Sequence, residues 1–303
     1  MPGAGLPRHH VSPRRLLARH LAGSGLELGP GHHPFVLPLP GVTVRYVDRW
    51  TPDEARRLFP AMGPYAGQPD VIADFNTERL DPVADASQDF LIASHVLEHL
   101  AEPLGFMAEM HRVLRRGGVA LVLLPDRHRT RDRNRAPTPL DHLVGEYRAK
   151  VREVSDDHLL EFLAARGEPV PPAAEERRRV LDRHRRRSVH VHCWDAGEFA
   201  DVIRWGIENL AEQWEFVDGC LPFDGVPPAD IEFGFVLRRS DVDLDGPTRS
   251  RRFEASWTAW RDVQRALLPA AGAADLLGRA YQRARHGLYR QVVRRVRHPP
   301  TPE

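Results

Sequence analysis

Short apolar segments, each followed by a polar residue, recur through the first half of the chain. They cover residues 25–28, 42–47, 71–73, 90–93 and 119–124. Such near-continuous apolar runs are typical of buried parallel strands. Between the fourth and fifth segments, residues 96–114 place apolar side chains at helical spacing, and Gly117 and Gly118 are predicted to end that helix. Strands that alternate with helices predict an α/β fold with a doubly wound, mostly parallel sheet.

The alternation stops at residue 127 and resumes near residue 195. Residues 127–193 are rich in Arg, Asp, His and Pro, with helical stretches near 153–166 and 173–187. Because this connection is too long for a simple loop, we interpret it as an inserted substrate lid. We therefore divide the chain into an N-terminal helix, the cofactor-binding half of an α/β domain, the lid, the remainder of that domain and a helical basic tail. The five parts are residues 1–24, 25–126, 127–193, 194–240 and 241–303.

The remaining elements follow from the same periodicities. Helices are predicted at residues 11–22, 195–210, 253–268 and 275–298, and strands at residues 214–217 and 231–237. Asp195 is a candidate N-cap. Residues 279–298 contain seven arginines and no acidic residue, with an apolar stripe opposite the charge. This tail is a candidate for contact with an anionic membrane surface, but a helix packed on the domain with its arginines in solvent is the plainer interpretation.

Composition is that of a soluble globular protein, with 42% hydrophobic and 28% charged residues. No apolar run approaches the roughly 20 residues of a membrane span. The net charge of +1, from 43 basic and 42 acidic residues, argues against a nucleic-acid partner. The first residues contain no apolar signal core, and two cysteines cannot form a disulfide framework. We therefore expect a cytoplasmic protein.

The predicted strands end in residues that can bind a polar ligand. Four of these residues are acidic, namely Glu27, Asp48, Asp74 and Asp126, and His95 follows the fourth strand. In open α/β sheets, ligands bind at the carboxyl ends of the strands. The sequence therefore predicts a ligand site at this edge of the sheet.

The loop after the first strand, residues 29–34, reads Gly-Pro-Gly-His-His-Pro. Its glycines allow the backbone to approach a ligand closely. A nicotinamide-dinucleotide fingerprint needs a third glycine where Pro34 stands, so an oxidoreductase is disfavoured. Glu27, two positions before the first glycine, suits a cationic cofactor better than a pyrophosphate. Asp48 lies 19 residues beyond Gly29, a separation typical of a carboxylate that accepts hydrogen bonds from two ribose hydroxyls.

In combination, these motifs resemble the class I S-adenosylmethionine-dependent methyltransferases of type 11. The matching pieces within residues 25–125 are LELGPG, VRYVD, VIADF, DASQDFLIASHVLEHLAEP and EMHRVLRRGGVALVLLPD. More narrowly, the chain is similar to a bacterial subgroup of this family that often accompanies glycosyltransferases and natural-product sugar enzymes. The segments that carry this similarity are LELGPGHHPFVLP, RYVDRW, HVLEHL, LPDRHRTRDRNRAPTPLDHL and VHVHCW. The resemblance covers about residues 20–240 and implies a Rossmann-like fold with S-adenosylmethionine as cofactor.

The resemblance also implies which residues contact that cofactor. Glu27, Gly29 and Gly31 would border the methionine part, and Asp48 would hold the ribose. Asp74 and Phe75 would flank the adenine, and Ser94 and His95 would lie beside the departing methyl group. The loop departs from the usual pattern, because His33 and Pro34 stand near the place of a third glycine. This departure is expected to tighten the turn.

Methyl transfer from a sulfonium requires alignment of the reactants, exclusion of water and a proton acceptor where the nucleophile carries a proton. The candidates for catalysis are His95, Asp126, His142 and His192. For His95 the structural alternative is a hydrogen bond that fixes the strand end, and for Asp126 it is a cap on the following segment. Arg131 and Arg135 are candidates for binding a phosphate or carboxylate of the substrate, although exposure to solvent is the plainer interpretation.

A metal site in the lid is a weaker prediction. In an extended segment His190 and His192 point to one face, and together with His142 and Asp126 they are a candidate ligand set for a divalent metal. However, no compact H-x-x-x-H or H-E-x-x-H helix pair accompanies them. We therefore expect no metal, and assign these side chains to polar substrate binding or to a hydrogen-bonded strand crossing.

The sequence thus predicts a methyltransferase that acts on a small polar acceptor. O-methylation of a sugar, a glycolipid precursor or a secondary metabolite is favoured. The alternative is a protein of this fold with a non-methylating role, as a binding or scaffold protein or in ring closure or elimination, because a fold does not fix a function. The oligomeric state stays open.

Overall fold

A seven-stranded sheet forms the centre of the protein. The computed structural model describes residues 13–35, 40–60, 68–222 and 231–267. The strands are β1 (Gly23–Leu28), β2 (Val42–Asp48), β3 (Val71–Ile72), β4 (Gln88–Ser94), β5 (Leu114–Pro125), β6 (Trp214–Cys220) and β7 (Glu232–Arg239). Their order is β3-β2-β1-β4-β5-β7-β6; the first five strands are parallel, and β7 is antiparallel to both β5 and β6. The predicted Rossmann-like, mostly parallel sheet is confirmed.

Helices cover both faces of this sheet. They are α1 (Pro13–Ala18), α2 (Pro52–Leu58), α3 (Pro103–Val113), α4 (Leu140–Ala149), α5 (Asp156–Ala165), α6 (Ala174–Arg187), α7 (Ala196–Asn209) and α8 (Gly246–Leu267). The larger apolar core includes residues of α3, α7 and α8 and one face of the sheet, and a smaller core contains α1 and the opposite face. Burial on both faces explains why the central strands lack polar alternation.

The helix predicted over residues 96–114 is wrong at both ends. Residues Leu97–His99 form a single 3-10 turn, and α3 begins only at Pro103, where the Glu102 side chain accepts a hydrogen bond from the Gly105 amide. At the other end α3 stops at Val113 and the chain enters β5 directly, so the glycines of this region lie within a strand. A Cβ on Gly118 would approach the Arg115 carbonyl oxygen to 2.8 Å, which explains the need for glycine there.

Other elements agree with the pattern more closely. Asp195 is the N-cap of α7, in a capping box with Glu198. Two helices, α2 and α4, are absent from the predicted elements, although Thr51-Pro52 and Glu54 give α2 a clear start signal. The predicted basic helix at 275–298, with its candidate membrane contact, lies outside the described residues. Among the helices that the structure does describe, none is long and apolar enough to cross a membrane.

Residues 127–193, called the insertion below, leave and rejoin the sheet at one place. Asp126 and Trp194 form an isolated parallel bridge, and the Arg127 amide donates to the Trp194 carbonyl at 3.0 Å. The insertion has a small apolar core of its own, built mainly from α5, α6 and the segment that follows α6. Its last segment also binds the turn after β4, because the amides of Val191 and His192 both donate to the Glu98 carbonyl, at 2.7 and 3.1 Å.

Candidate active site

The loop after β1 turns on two glycines in the left-handed region, Gly29 at φ +57° and Gly31 at φ +52°. A Cβ on Gly29 would lie 3.4 Å from Val96 Cγ2 and 3.6 Å from Phe75 Cε2, so the loop lies beside the segments that follow β3 and β4. A Cβ on Gly31 would meet only the Gly29 carbonyl oxygen, at 3.9 Å. The His33 amide closes the turn by donating to the Pro30 carbonyl at 2.9 Å. The backbone is therefore open to a ligand at Gly31 without a third glycine.

Glu27 is a buried acid beneath this loop, with 1% of its surface exposed. Its Oε1 accepts a hydrogen bond from the Phe35 amide at 2.7 Å, whereas Oε2 is buried and makes no hydrogen bond to any residue that the structure describes. Burial raises the pKa of Glu27 to about 7, although the Phe35 amide and the charge of Arg14 act in the opposite direction. A buried oxygen in this state is costly unless a donor reaches it.

Asp48 approaches the loop from the end of β2. Its Oδ2 accepts a hydrogen bond from the Gly31 amide at 3.3 Å, and its Oδ1 accepts one from the Arg49 amide at 2.7 Å. The Arg49 guanidinium also pairs with Asp74 Oδ2 at 2.9 Å, which links the ends of β2 and β3. Phe75 packs its ring against Phe106, with ring centroids 5.5 Å apart.

These residues fit S-adenosylmethionine. The incompletely bonded carboxylate of Glu27 suits a cationic group, and the open backbone at Gly31 leaves room for a ligand beside Asp48. Ser94 ends β4, the strand next to β1, and is half-buried. All the residues that sequence reasoning assigned to the cofactor thus lie at one edge of the sheet.

His95 follows β4 with φ +55°, a conformation that is uncommon for a residue with a side chain. Its Nε2 lies 3.2 Å from Glu232 Oε2, and its Nδ1 lies 3.4 Å from Glu98 Oε1. Burial alone would lower the pKa of His95, but hydrogen bonds and charge interactions with both carboxylates outweigh it and raise the pKa to about 9. The ring is therefore an imidazolium at neutral pH.

Sequence reasoning missed one partner of His95, Glu232, and the Arg14 side chain that pairs with it. Glu232 opens β7 opposite Pro125, at the same edge as His95, and accepts hydrogen bonds from Arg14 Nε at 2.9 Å and Nη2 at 2.7 Å. Burial raises the pKa of Glu232, but Arg14 and His95 lower it more. An acid at the head of an apolar strand was the available signal. We call Arg14, Glu232, His95 and Glu98 the ion-pair chain.

The side chains of the other three catalytic candidates have partners outside the ion-pair chain. Asp126 ends β5 and accepts a hydrogen bond from the His128 amide at 2.8 Å, as a cap on the following segment does. Burial raises the pKa of Asp126 despite that hydrogen bond. His142 and His192 lie together inside the insertion, where burial and then the charges of His158 and His142 lower the pKa of His192 well below its usual value.

His190 and His192 have different neighbours, so the candidate ligand set of His142, His190, His192 and Asp126 does not form. His190 Nδ1 pairs with Asp132 Oδ2 at 2.6 Å. The expectation that Arg135 faces solvent is wrong, because only 2% of its side chain is exposed, whereas Arg131 is exposed. The Arg135 guanidinium donates hydrogen bonds to the side chains of Asp132 and Glu161 and to the backbone carbonyls of residues 190 and 191.

A cavity of about 250 Å³ lies between the sheet edge and the insertion. From the sheet edge it is lined by Arg49 and Asp74, and from the insertion by Arg152 and Arg185. The insertion therefore covers polar space directly beside the end of β3.

Residues 26–122 match the family model Methyltransf_11, a methyltransferase domain. The matched range contains the glycine loop and the ends of β1, β2, β3 and β4. The chain therefore carries a class I S-adenosylmethionine-dependent methyltransferase domain, and S-adenosylmethionine is its methyl donor. The predicted enzyme class and cofactor are confirmed.

No curated protein matches the sequence. Among solved structures, the CurJ carbon methyltransferase is 12% identical with a TM-score of 0.38; the match covers 73% of this chain and 49% of that one, so this chain spans about half its length. A protein from Rhodobacter sphaeroides, provisionally assigned as a zinc-dependent alcohol dehydrogenase, is 11% identical with a TM-score of 0.45, over 75% of this chain and 89% of that one.

A third similar structure is the 1,6-didemethyltoxoflavin-N1-methyltransferase of Burkholderia thailandensis, with bound 1,6-didemethyltoxoflavin and S-adenosylhomocysteine. It is 14% identical with a TM-score of 0.40, over 76% of this chain and 79% of that one. Because all three TM-scores are below 0.5, none of these structures informs the acceptor or the reaction of this chain.

Proposed function

We propose that this methyltransferase transfers the methyl group of S-adenosylmethionine to a hydroxyl oxygen of a small polar acceptor, held between the sheet edge and the insertion. The ion-pair chain is the observation that supports this most, because it contains a proton-handling group, His95, directly before Val96, which lies beside Gly29 of the glycine loop. The resemblance to a subgroup that accompanies sugar enzymes supports a sugar, a glycolipid precursor or a secondary metabolite as the acceptor class.

The cofactor would be held by the residues at the ends of the first three strands. We assign its amino-acid end to Glu27 and the glycine loop 29–34, its ribose to Asp48, and its adenine to Asp74 and Phe75. When bound, S-adenosylmethionine supplies an electrophilic methyl group on a sulfonium. The chain itself contributes alignment and the exclusion of water by the insertion.

His95, next to Ser94, would handle the acceptor's proton. Its Nε2 and Nδ1 lie 3.2 and 3.4 Å from carboxylate oxygens of Glu232 and Glu98, and 28% of its side chain is exposed, so an acceptor hydroxyl can reach the ring by displacing one of these contacts. As the new C–O bond forms and the methyl–sulfur bond breaks, with S-adenosylhomocysteine as the leaving group, the hydroxyl proton would pass to the neutral ring of His95. The two carboxylates then stabilise the imidazolium that results.

The test is methyl transfer from labelled S-adenosylmethionine to a panel of nucleotide sugars, free sugars and hydroxylated metabolites, followed over pH 6–10. Because the neutral form of His95 is the base, kcat should rise about tenfold per pH unit below the pKa and level off near pH 9. His95→Gln should lower kcat by about 10²–10⁴-fold and remove this pH dependence, with little effect on cofactor affinity. His128→Gln, at a more exposed histidine, is the matched control.

Three outcomes would contradict the proposal. A pH-independent kcat for the acceptor that is methylated would exclude His95 as the base. Methylation at nitrogen or carbon would exclude the acceptor chemistry. Cofactor binding without transfer to any member of the panel would favour the non-methylating alternative.

A further inference from the structure

Three histidines and one glutamate converge inside the insertion. His142 and Glu146 lie one turn apart on α4, His158 lies on α5, and His192 lies in the segment before Trp194. One side-chain nitrogen or oxygen from each residue lies within 4.8 Å of those of the other three. The three imidazole rings have centroids only 5.0 to 6.0 Å apart.

The closest distances resemble the edges of a metal coordination polyhedron. His158 Nε2 and His142 Nε2 lie 2.7 and 3.1 Å from Glu146 Oε1, and 3.2 Å from each other. His192 Nε2 lies 3.4 Å from the second oxygen, Glu146 Oε2. Two ligands bound about 2.0–2.1 Å from a tetrahedral zinc ion are about 3.3 Å apart. His142, His158 and Glu146 therefore have the spacing of three vertices of a tetrahedral site, and His192 lies beside the second oxygen of Glu146, within 4.8 Å of the other ligand atoms.

Burial gives an independent reason to expect a ligand here. His192 has none of its surface exposed, and its ring nitrogens make no hydrogen bond of ordinary geometry with a described residue, although the Leu100 backbone lies close enough to interact with the ring. Glu146 Oε2, which faces it, is also buried and has no such bond. Burying an imidazole and a carboxylate oxygen without such bonds costs free energy of folding unless another group, such as a metal ion, binds them.

Charge points to a cation rather than to a neutral ligand. The cluster contains one carboxylate, Glu146, and each of its three imidazoles offers one nitrogen ligand. Imidazole is a ligand for Zn²⁺ and for divalent Cu, Fe and Ni, whereas Mg²⁺ and Ca²⁺ prefer oxygen.

We propose that His142, Glu146, His158 and His192 bind one divalent transition-metal ion, with Zn²⁺ as the first candidate. Four protein ligands complete a tetrahedral shell, so the ion is structural and leaves no open position for substrate. His142 has 45% of its side chain exposed and provides the route by which the ion enters. This site replaces the expectation of no metal, and it contains neither Asp126 nor His190.

The position of the site gives the ion a defined role. It joins α4, α5 and the last segment of the insertion, and that segment binds the turn after β4 through the Val191 and His192 amides and the Glu98 carbonyl. Glu98 in turn contacts His95. The ion thus fastens the insertion to the sheet edge, and this role stands whether or not the proposed acceptor is correct.

The first test is the metal content of the full-length chain after removal of any affinity tag, measured by plasma mass spectrometry. About one Zn²⁺ per chain is expected after dialysis against metal-free buffer. Replacement by Co²⁺ should give the intense visible absorption bands of a four-coordinate ion. Chelation should lower the midpoint of thermal unfolding, and added Zn²⁺ should restore it.

Variants then assign the ligands. His142→Gln, at the exposed rim of the site, should keep the fold. It should weaken Zn²⁺ affinity by more than about 100-fold, because loss of a residue that only hydrogen-bonds a ligand already costs about 10–100-fold. Glu146→Gln should do the same. His184→Ala is the matched control, because His184 also lies in the insertion, on α6, but outside the cluster; it should retain the metal.

Several results would overturn the site. Wild-type protein that holds no stoichiometric metal, even after incubation with Zn²⁺ or Co²⁺, would do so. So would six-coordinate Co²⁺ spectra, or Zn²⁺ affinity that His142→Gln and Glu146→Gln leave unchanged. None of these measurements depends on methyl transfer, so failure of the site and failure of the proposed reaction are distinguishable.

Discussion

The surroundings of Glu27 and His95 shift the pKa values of both side chains away from their usual ranges. Burial dominates at Glu27 and raises its pKa to about 7, so that about half of the molecules carry a neutral carboxyl at pH 7. At His95 two carboxylates overcome burial and raise the pKa to about 9. Perturbed groups such as these are typical of binding and catalytic sites.

The state of Glu27 makes cofactor affinity dependent on pH. A cationic ligand binds the ionised carboxylate, so S-adenosylhomocysteine, which retains the ammonium group, should bind about tenfold more weakly per pH unit below pH 7 and reach a plateau above it. Calorimetry near pH 7 in buffers of different ionisation enthalpy should detect proton release on binding. Glu27→Gln should bind more weakly at pH 8 and lose the pH dependence; a wild-type affinity that is constant from pH 6 to 8 would contradict this role.

The location of a residue could be predicted where it follows from its strand. Glu27, Asp48 and Asp74 lie at the sheet edge expected for them because the carboxyl ends of parallel strands share one edge, and their contact with the cofactor stays a prediction. Glu232 and His158 were not identified. Glu232 reaches His95 only because β7 is antiparallel to β5, and His158 reaches His142 from a different helix, with their Nε2 atoms 3.2 Å apart. Such contacts depend on tertiary structure and leave no spacing signal in the chain.

At the level of elements, the strands were easier to predict than the helices around them. The central strands are buried on both faces, so their apolar runs are unambiguous. The helix expected at residues 96–114 failed because Pro103 starts a new helix and Gly118 belongs to a strand, and apolar spacing alone shows neither event. Helix α4 was missed because it is mostly polar, with only Leu143 and Val144 buried.

Arg135 is the residue that holds the last segment of the insertion in place. Arg135→Met should lower the free energy of unfolding by about 3–5 kcal/mol, because it leaves the buried Asp132 without one of its partners and frees the carbonyls of residues 190 and 191. Hydrogen exchange should accelerate at the Val191 amide, which donates to Glu98. Arg133→Met, on the exposed side of the same turn, is the control. Equal exchange at Val191 in the two variants would contradict this role.

At the level of the whole molecule, the sheet and the insertion contribute different parts of the candidate site. The sheet edge carries the glycine loop and the acids expected to hold the cofactor, and the insertion covers the neighbouring polar cavity. The fold was predictable because it follows from the alternation of strands and helices. The internal contacts of the insertion were not, since a polar segment of this composition has no dominant periodicity.

The central claim is that acids and open backbone at one sheet edge bind the cofactor, and its most direct test is calorimetric titration of the full-length chain with S-adenosylhomocysteine. The structure predicts one site per chain in the wild type. Asp48→Asn should weaken binding by about 1.5–3 kcal/mol, which is at least tenfold, and Asp53→Asn, at an exposed acid on α2, should leave it unchanged. No binding by the wild type, or equal affinity of wild type and Asp48→Asn, would contradict the claim.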